Sequence, residues 1–168
     1  MGCLASKNSE GDEGKTRKKV VMVGLDNAGK TSILNRVRTQ HFMPSAPTVG
    51  LNIETITFGN LELLIFDIGG RARSLWSHYY ENLDALIFVV DSTDRSRLLN
   101  VREEFIKLND ELRYKNSVVL VLFNKQDAIE ELVDYSDLLE ECGVNEVLEL
   151  DTIVQKCSAK NGDGLIEG

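Results

Sequence analysis

The stretch VVMVGLDNAGKTSIL (20–34) places two glycines, a lysine and a threonine between two apolar runs. Gly24, Gly29, Lys30 and Thr31 fit the pattern G-x-x-x-x-G-K-[ST], in which a glycine-rich loop wraps around phosphates. The N–H groups of such a loop and of the following helix converge on the anion. Lys30 would reach the outer phosphates, and the Thr31 hydroxyl would bind Mg²⁺. The other residues of the predicted phosphate site are Asp26, Asn27, Ala28 and Ser32.

A second group with possible chemistry lies in LLIFDIGG (63–70), where Asp67 ends an apolar run. A carboxylate at the end of a strand is placed to hold Mg²⁺ through water, and Gly69 and Gly70 let a backbone N–H meet a terminal phosphate. A strand that ends in aspartate and glycine is also typical of an ordinary turn. Taken alone, this stretch leaves both interpretations open.

A third group, Asn124, Lys125 and Asp127 in VLFNKQD, directly follows another apolar run and indicates which base is bound. The carboxylate of Asp127 can accept hydrogen bonds from N1–H and the exocyclic amine of guanine, whereas adenine would leave its oxygens unpaired. Ser158 and Ala159 in CSAK could offer a backbone N–H to the guanine carbonyl. Each stretch alone also suits a polar loop, but their order along the chain favours a guanine nucleotide.

The elements that must position these groups follow from the apolar pattern. Three runs, at 20–23, 85–90 and 118–123, are continuously apolar, as expected for parallel strands buried on both faces. Gly59-Asn60 separates two further runs and predicts a hairpin. Apolar residues at helical spacing predict a helix between the second and third runs: Leu98, Val101, Phe105 and Leu108. The alternation predicts an α/β fold with helices on both faces of a mostly parallel sheet, and ligands bind such sheets beyond the carboxyl ends of the strands.

Composition narrows the class of protein further. The 168 residues suit one globular domain, which we assign to 19–168, preceded by a polar and disordered arm at 1–18. A formal charge of −8 argues against nucleic acid as a partner. Three cysteines and the lack of a secretory signal indicate the cytosol.

From residue 19 to 168 the sequence resembles the Arf and Arf-like family of small GTPases. The segments that carry the resemblance are GLDNAGKT, PTVGLNIETI, FDIGG, LWSHYYEN, LIFVVDSTDR and NKQD. It implies a Ras-like fold with a six-stranded sheet, GTP, GDP and Mg²⁺ as ligands, and a switch that cycles between GTP and GDP on membranes in vesicle trafficking. Thr48 would bind Mg²⁺ in the GTP state, and residues 51–66 would form the hairpin between the two switch segments.

The resemblance also implies protein partners and a location. An exchange factor, a GTPase-activating protein and effectors are expected, together with a peripheral position on the cytosolic face of the Golgi, another endomembrane or the plasma membrane. Leu51, Phe66 and Tyr79 stand where the family has its aromatic effector-binding cluster, and Leu51 departs from it. Ordinary packing between hairpin and helix is an equal alternative for these three.

The catalytic segment departs from the family after Gly70. The family's water-positioning glutamine is replaced by Arg71, and the spacing to Trp76 is two residues shorter than usual. An arginine has no acceptor with which to orient water, so we expect slow hydrolysis assisted by Lys30, Thr48 and the Gly70 N–H. A doubtful catalytic role for Arg71 itself, as a source of transition-state charge, is the weaker interpretation.

The N-terminal arm departs as well, since it has no bulky apolar face that could insert into a bilayer. MGCLAS instead fits N-myristoylation on Gly2, and the adjacent Cys3 invites palmitoylation. A small basic cluster follows: Lys15, Arg17, Lys18 and Lys19. One myristoyl chain binds membranes only marginally, so a second signal is needed. A tail without lipid is the alternative.

At the other end, GDGLIEG leaves only the first turn of the final helix that a Ras-like domain would have, and we expect a truncated sequence. The sequence is consistent with three functions. The first is a membrane-anchored GTP/GDP switch with slow hydrolysis, and the second is a GTP-binding membrane scaffold without useful hydrolysis. The third, a P-loop kinase or ATPase, is disfavoured by Asn124 and Asp127.

Overall fold

The computed structural model describes residues 15–148 and 151–165. A six-stranded sheet has the order β2-β3-β1-β4-β5-β6, and within it β2 alone runs antiparallel to its neighbour. The strands are Thr16–Val23 (β1), Leu51–Phe58 (β2), Leu61–Ile68 (β3), Ala85–Asp91 (β4), Val118–Asn124 (β5) and Thr152–Lys156 (β6). The predicted six-stranded, mostly parallel sheet is therefore confirmed, and so is the two-residue hairpin turn at Gly59-Asn60.

Helices cover both faces of the sheet, as predicted. The α-helices are Lys30–Thr39 (α1), Leu98–Leu112 (α2), Tyr135–Cys142 (α3) and Val144–Val147 (α4), and 3₁₀ helices span Arg73–Tyr79, Arg95–Arg97 and Ile129–Glu131. The predicted stripe of α2 is buried against one face together with alternate strand residues such as Val21 and Phe88. On the other face, Ile33 and Leu34 of α1 pack on Val20 and Met22.

The first strand begins earlier than the domain boundary drawn at residue 19. Thr16 already pairs with Leu61 in the parallel register of β1 and β3, so residues 16–18 belong to the sheet rather than to the arm. These positions are polar because β1 extends past the apolar core at this end, and their side chains pair instead. Arg17 contacts Glu62 at 2.5 Å and Lys18 contacts Asp84 at 2.8 Å. The rest of the arm, 1–14, lies outside the described residues.

The sheet brings the candidate polar groups to one edge. Asp67 is the second-last residue of β3, in register with Met22 near the end of β1, and Asp91 pairs with Asn124 at the ends of β4 and β5. Because parallel strands end on the same side, the loops that follow them meet there. Within 15–148 and 151–165, no helix is both long and apolar enough to cross a bilayer.

Candidate functional site

A cavity of about 350 Å³ opens at this edge of the sheet. The predicted site residues that line it are Asp26, Asn27, Gly29, Lys30, Thr31, Ser32, Thr48, Gly70, Arg71, Asn124, Lys125, Asp127 and Ala159. Four other predicted residues are not part of the lining, but each hydrogen-bonds with a residue that is: Gly24, Ala28, Asp67 and Ser158. Motif analysis missed the wall formed by Phe42, Pro44, Ser45, Ala46, Pro47 and Ala128. Most of that wall directly precedes Thr48, so its position in the chain was the signal that could have found it.

The loop between β1 and α1 forms the phosphate end of the cavity. Gly29 has a φ of 94°, and an added Cβ would collide with the Asn124 amide, so only glycine lets the two segments approach this closely. Lys30 is buried, and its ammonium donates to the carbonyls of Gly24 at 2.8 Å and Leu25 at 3.0 Å. Burial lowers the pKa of Lys30 to about 8, although the carboxylates of Asp67 and Asp26 oppose the shift. The Lys30 ammonium is thus a buried cation whose hydrogen-bond acceptors here are neutral carbonyls.

Three side chains meet beside Lys30 in an arrangement that suits a divalent cation. The Thr31 hydroxyl donates to Asp67 Oδ2 at 2.6 Å and lies 2.7 Å from the Thr48 hydroxyl. Asp67 is fully buried, and its second oxygen has no hydrogen-bond partner. Burial raises the pKa of Asp67, against the opposing effects of the Thr31 hydrogen bond and the Lys30 charge. An oxygen-rich site with one unsatisfied carboxylate oxygen fits Mg²⁺.

The far end of the cavity is built from β5 and the loop after β6. The Asn124 amide donates to the Ala28 carbonyl at 2.8 Å and accepts from the Ala159 N–H at 3.0 Å, which ties the phosphate loop to this end. The Ser158 hydroxyl donates to Asp127 Oδ1 at 2.6 Å. Although burial opposes it, this hydrogen bond and the charge of Lys160 lower the pKa of Asp127. The carboxylate is therefore an acceptor near neutral pH.

Lys125 stands between the two ends. Its φ of 68° is unusual for a residue with a side chain, and its ammonium contacts the Asp91 carboxylate at 2.6 Å. Asp91 also accepts from the Thr93 N–H and hydroxyl. This network fixes the turn that presents Asp127 to the cavity.

The third wall carries Gly70 and Arg71. Gly70 packs so closely on the phosphate loop that a Cβ would collide with the backbone of Leu25 and Asp26. Arg71 is 79% exposed, and its Nε lies 3.9 Å from the Asp26 carboxylate. Sequence reasoning missed Arg97, which donates to the Asp26 side chain and carbonyl, each at 3.1 Å, from 71 residues away. No local spacing signals such a long-range contact.

Several other predicted features have separate outcomes. Gly2 and Cys3 lie outside the described residues. Phe66 and Tyr79 contact each other, with ring centroids 6.0 Å apart, and Tyr79 also packs on the core. Leu51 is 36% exposed, so the three positions combine packing with an exposed apolar edge.

Comparison with known proteins agrees with this geometry. Residues 6–168 match the model of the ADP-ribosylation factor family. The chain is also similar to the Arl6 BBS3 small GTPase from Trypanosoma brucei, solved with the bound nucleotide analogue GppNp. The two share 34% sequence identity over 89% of this chain and 91% of that one, with a TM-score of 0.78. The Ras-like fold implied by the sequence is thereby confirmed, and the chain belongs to the ADP-ribosylation factor family of GTP-binding small GTPases.

Proposed function

We propose that this protein is a switch that binds GTP and GDP with Mg²⁺, hydrolyses GTP slowly and works on a membrane surface. The observation that carries the proposal is the junction of the two cavity ends. Asn124 donates to the Ala28 carbonyl of the phosphate loop and accepts from the Ala159 N–H of the base loop. One nucleotide that spans both ends would meet cationic Lys30 at its phosphates and anionic Asp127 at its base.

Each residue of the site has a defined task in this proposal. Gly24, Asn27 and Gly29 shape the loop whose N–H groups face phosphate, and Lys30 exchanges its carbonyl partners for phosphate oxygens. Thr31, Thr48 and Asp67 would hold Mg²⁺, the last through water. When bound, this ion would supply positive charge that offsets the negative charge developing on the phosphates during transfer.

Slow hydrolysis follows from the wall that carries Arg71. Water attack on a terminal phosphate needs an acceptor that orients the water, and a guanidinium has only donors. The exposed Arg71 side chain has only a long contact to Asp26. The second candidate function, a GTP-bound membrane scaffold without useful hydrolysis, is favoured by the same observation. The two differ only in the rate of GTP cleavage.

Membrane attachment is proposed through lipids on Gly2 and Cys3, with the exchange factor, GTPase-activating protein and effectors acting there. Each free basic residue adds about 1 kcal/mol near an anionic leaflet. Because Arg17 and Lys18 are paired with Glu62 and Asp84, the basic cluster contributes less than its sequence suggests. The lipid chains therefore carry most of the attachment.

Three measurements test this function. In a competition assay, ATP should displace GTP at least tenfold less well than GDP does, and equal competition by ATP would rule out guanine recognition. Single-turnover hydrolysis with and without Mg²⁺ separates the slow switch from the scaffold. Cleavage that depends on Mg²⁺ supports the switch, and GTP that stays intact over hours supports the scaffold. Intact-mass analysis of protein from eukaryotic cells, with Gly2→Ala as the control, tests for lipids.

A further inference from the structure

Arg36 lies outside the site as described so far, yet it contacts the loop that reads the base. It sits in the last turns of α1, the helix that begins with Lys30 and Thr31. Its Nη2 donates to the carbonyl of Asn161 at 2.5 Å, from 125 residues away in the chain. Gly162 lies directly under the guanidinium, so that a Cβ there would touch it. Arg36 therefore holds one specific peptide of the loop 158–164.

Two more hydrogen bonds connect Asn161 to the cavity through its own N–H. The N–H of Asn161 donates to the Ser158 hydroxyl oxygen at 3.1 Å, and this hydroxyl donates to Asp127 Oδ1 at 2.6 Å. The Gly162 N–H closes the turn by donating to the Ser158 carbonyl at 2.8 Å. Ser158 is 1% exposed, so water has little access with which to replace these bonds. Three hydrogen bonds, joined through the backbone of Asn161, thus link α1 to the carboxylate that faces the base.

We propose that Arg36 is a positioning residue that aims Asp127 at guanine, and thereby couples the phosphate-binding helix to base selectivity. The idea rests on the proposed reading of guanine by Asp127. The Ser158 hydroxyl fixes the orientation of the Asp127 carboxylate, and Arg36 fixes the peptide that holds Ser158. Without Arg36, the hydrogen bonds of Ser158 and the 3.6 Å contact from Lys160 to Asp127 remain, but the Asn161 carbonyl loses the side chain that anchors it to α1. The carboxylate then samples orientations in which it cannot meet both guanine donors.

A merely structural tie would predict a different pattern of nucleotide release. If Arg36 acted only on the stability of the fold, its loss would speed the release of every nucleotide alike. If it aims Asp127, release should depend on how many donors the base offers to that carboxylate. Inosine lacks the exocyclic amine of guanine, so IDP uses only one of the two contacts. GDP and IDP therefore distinguish the two roles.

The experiment measures the release of fluorescent GDP and IDP from the protein in Mg²⁺ buffer. Arg36→Ala should release GDP about tenfold faster, the scale of one hydrogen bond to a charged group, and IDP less than threefold faster. Arg38→Ala is the matched control, because Arg38 lies on the same helix and pairs with the Glu54 carboxylate of β2, at 3.6 Å, rather than with the loop 158–164. It should leave both rates unchanged.

A double-variant cycle tests whether Arg36 acts through Ser158. In a Ser158→Ala background, Arg36→Ala should add less than twofold to GDP release, since the link to Asp127 is already broken. Arg36→Lys keeps the charge but loses the planar fork, and should narrow the GDP-to-IDP difference about threefold. This variant keeps the test decisive if Arg36→Ala does not fold.

Equal acceleration of GDP and IDP in either folded Arg36 variant would overturn the inference. So would full additivity with Ser158→Ala, or an Arg38→Ala effect as large as that of Arg36→Ala. An unmodified protein that holds GDP no better than IDP would overturn guanine reading by Asp127, and this inference with it. If the unmodified protein holds GDP better than IDP and the Arg36 variants do so equally well, this inference alone would be overturned.

Discussion

The base and phosphate ends of the cavity differ in how their side chains are held from the wall formed by Gly70 and Arg71, which we call the switch wall. Lys30, Asn124 and Ser158 are 6%, 2% and 1% exposed. Lys30 hydrogen-bonds within the phosphate loop, and Asn124 and Ser158 hydrogen-bond with segments far away in the chain. Arg71 is 79% exposed, and its ion pair with Asp26 is long, at 3.9 Å. The side chains at the base and phosphate ends are thus fixed by the fold itself, whereas the wall with Arg71, where we propose that hydrolysis is slow, presents a solvated side chain. A family member can therefore keep its nucleotide while its hydrolysis rate changes.

Asp26 joins the two regions. Arg97 holds both its carboxylate and its carbonyl, and Arg71 approaches the same carboxylate from the switch side. Since Arg97 already neutralises Asp26, the contact with Arg71 adds little and leaves the switch side chain free to move. An exposed ion pair of this kind contributes at most about 1 kcal/mol.

The largest effect is expected at Asp127. In Asp127→Asn, the ratio of GTP affinity to xanthosine triphosphate (XTP) affinity should fall about 10⁴-fold below that of the unmodified protein. The reason is that the amide offers a donor where guanine also offers one. Competition binding with GTP, XTP and ATP measures it. Asp137→Asn, which changes a carboxylate paired with Arg95 at 2.9 Å on α3, is the control and should bind normally. An unchanged GTP preference in Asp127→Asn would mean that the base end is not where we place it.

The switch wall should respond next most strongly, and only in the rate of hydrolysis. Restoring a glutamine through Arg71→Gln, together with two residues inserted before Trp76, should speed single-turnover cleavage by about 10²–10⁴-fold. Arg71→Gln alone is the control and should gain much less, because the short loop displaces the backbone that aims the side chain. GTP affinity should stay the same in both. Rapid cleavage by the unmodified protein would contradict the role given to Arg71.

Thr31→Asn tests whether the metal group belongs to the binding region. The hydroxyl joins Asp67 and Thr48 in the arrangement that suits Mg²⁺, and the ion would offset the charge of the phosphates, which is larger in GTP than in GDP. We expect GTP affinity to fall about tenfold more than GDP affinity, the scale of one hydrogen bond to a charged group. Titration of both nucleotides with and without Mg²⁺ measures the difference. Equal losses of GTP and GDP affinity would show that Thr31 does not bind the ion.

The sequence predicted the parts of the molecule that local spacing encodes. Continuous apolar runs gave the buried strands, the stripe from Leu98 to Leu108 gave α2, and residues at strand ends gave the cavity. It could not predict Arg97 beside Asp26 or Arg36 beside Asn161, because each pair joins distant loops through exposed or half-buried arginines. Nor did composition reveal that β1 begins at Thr16, where ladder pairing and ion pairs replace apolar burial.

The smallest predicted effect is a change of GDP affinity with pH, which should affect the phosphate end of the cavity and not the switch wall. Burial lowers the pKa of Lys30 to about 8 in the nucleotide-free protein, so that its ammonium loses its proton as pH rises above that value. Bound phosphates favour the charged form, and binding therefore takes up a proton above pH 8. GDP affinity should fall about fourfold between pH 7 and 8.5, as linkage to one such group requires. Arginine keeps its charge over this range, so the cleavage rate of bound GTP should stay constant.

Calorimetry of GDP binding at pH 8.5 in HEPES and in Tris gives the proton uptake directly, because the two buffers differ in ionisation enthalpy. Uptake of most of one proton at pH 8.5 and almost none at pH 7 is the expected result. For the nucleotide-free protein, folding stability changes with pH in the opposite direction to GDP affinity. Lys30 is deprotonated more readily in the folded chain than in the unfolded one, so its contribution to stability rises with pH from about 8 to 10.5. A GDP affinity that is flat across this range, with no proton uptake, would show that Lys30 stays charged and that the phosphate end is more solvated than its burial implies.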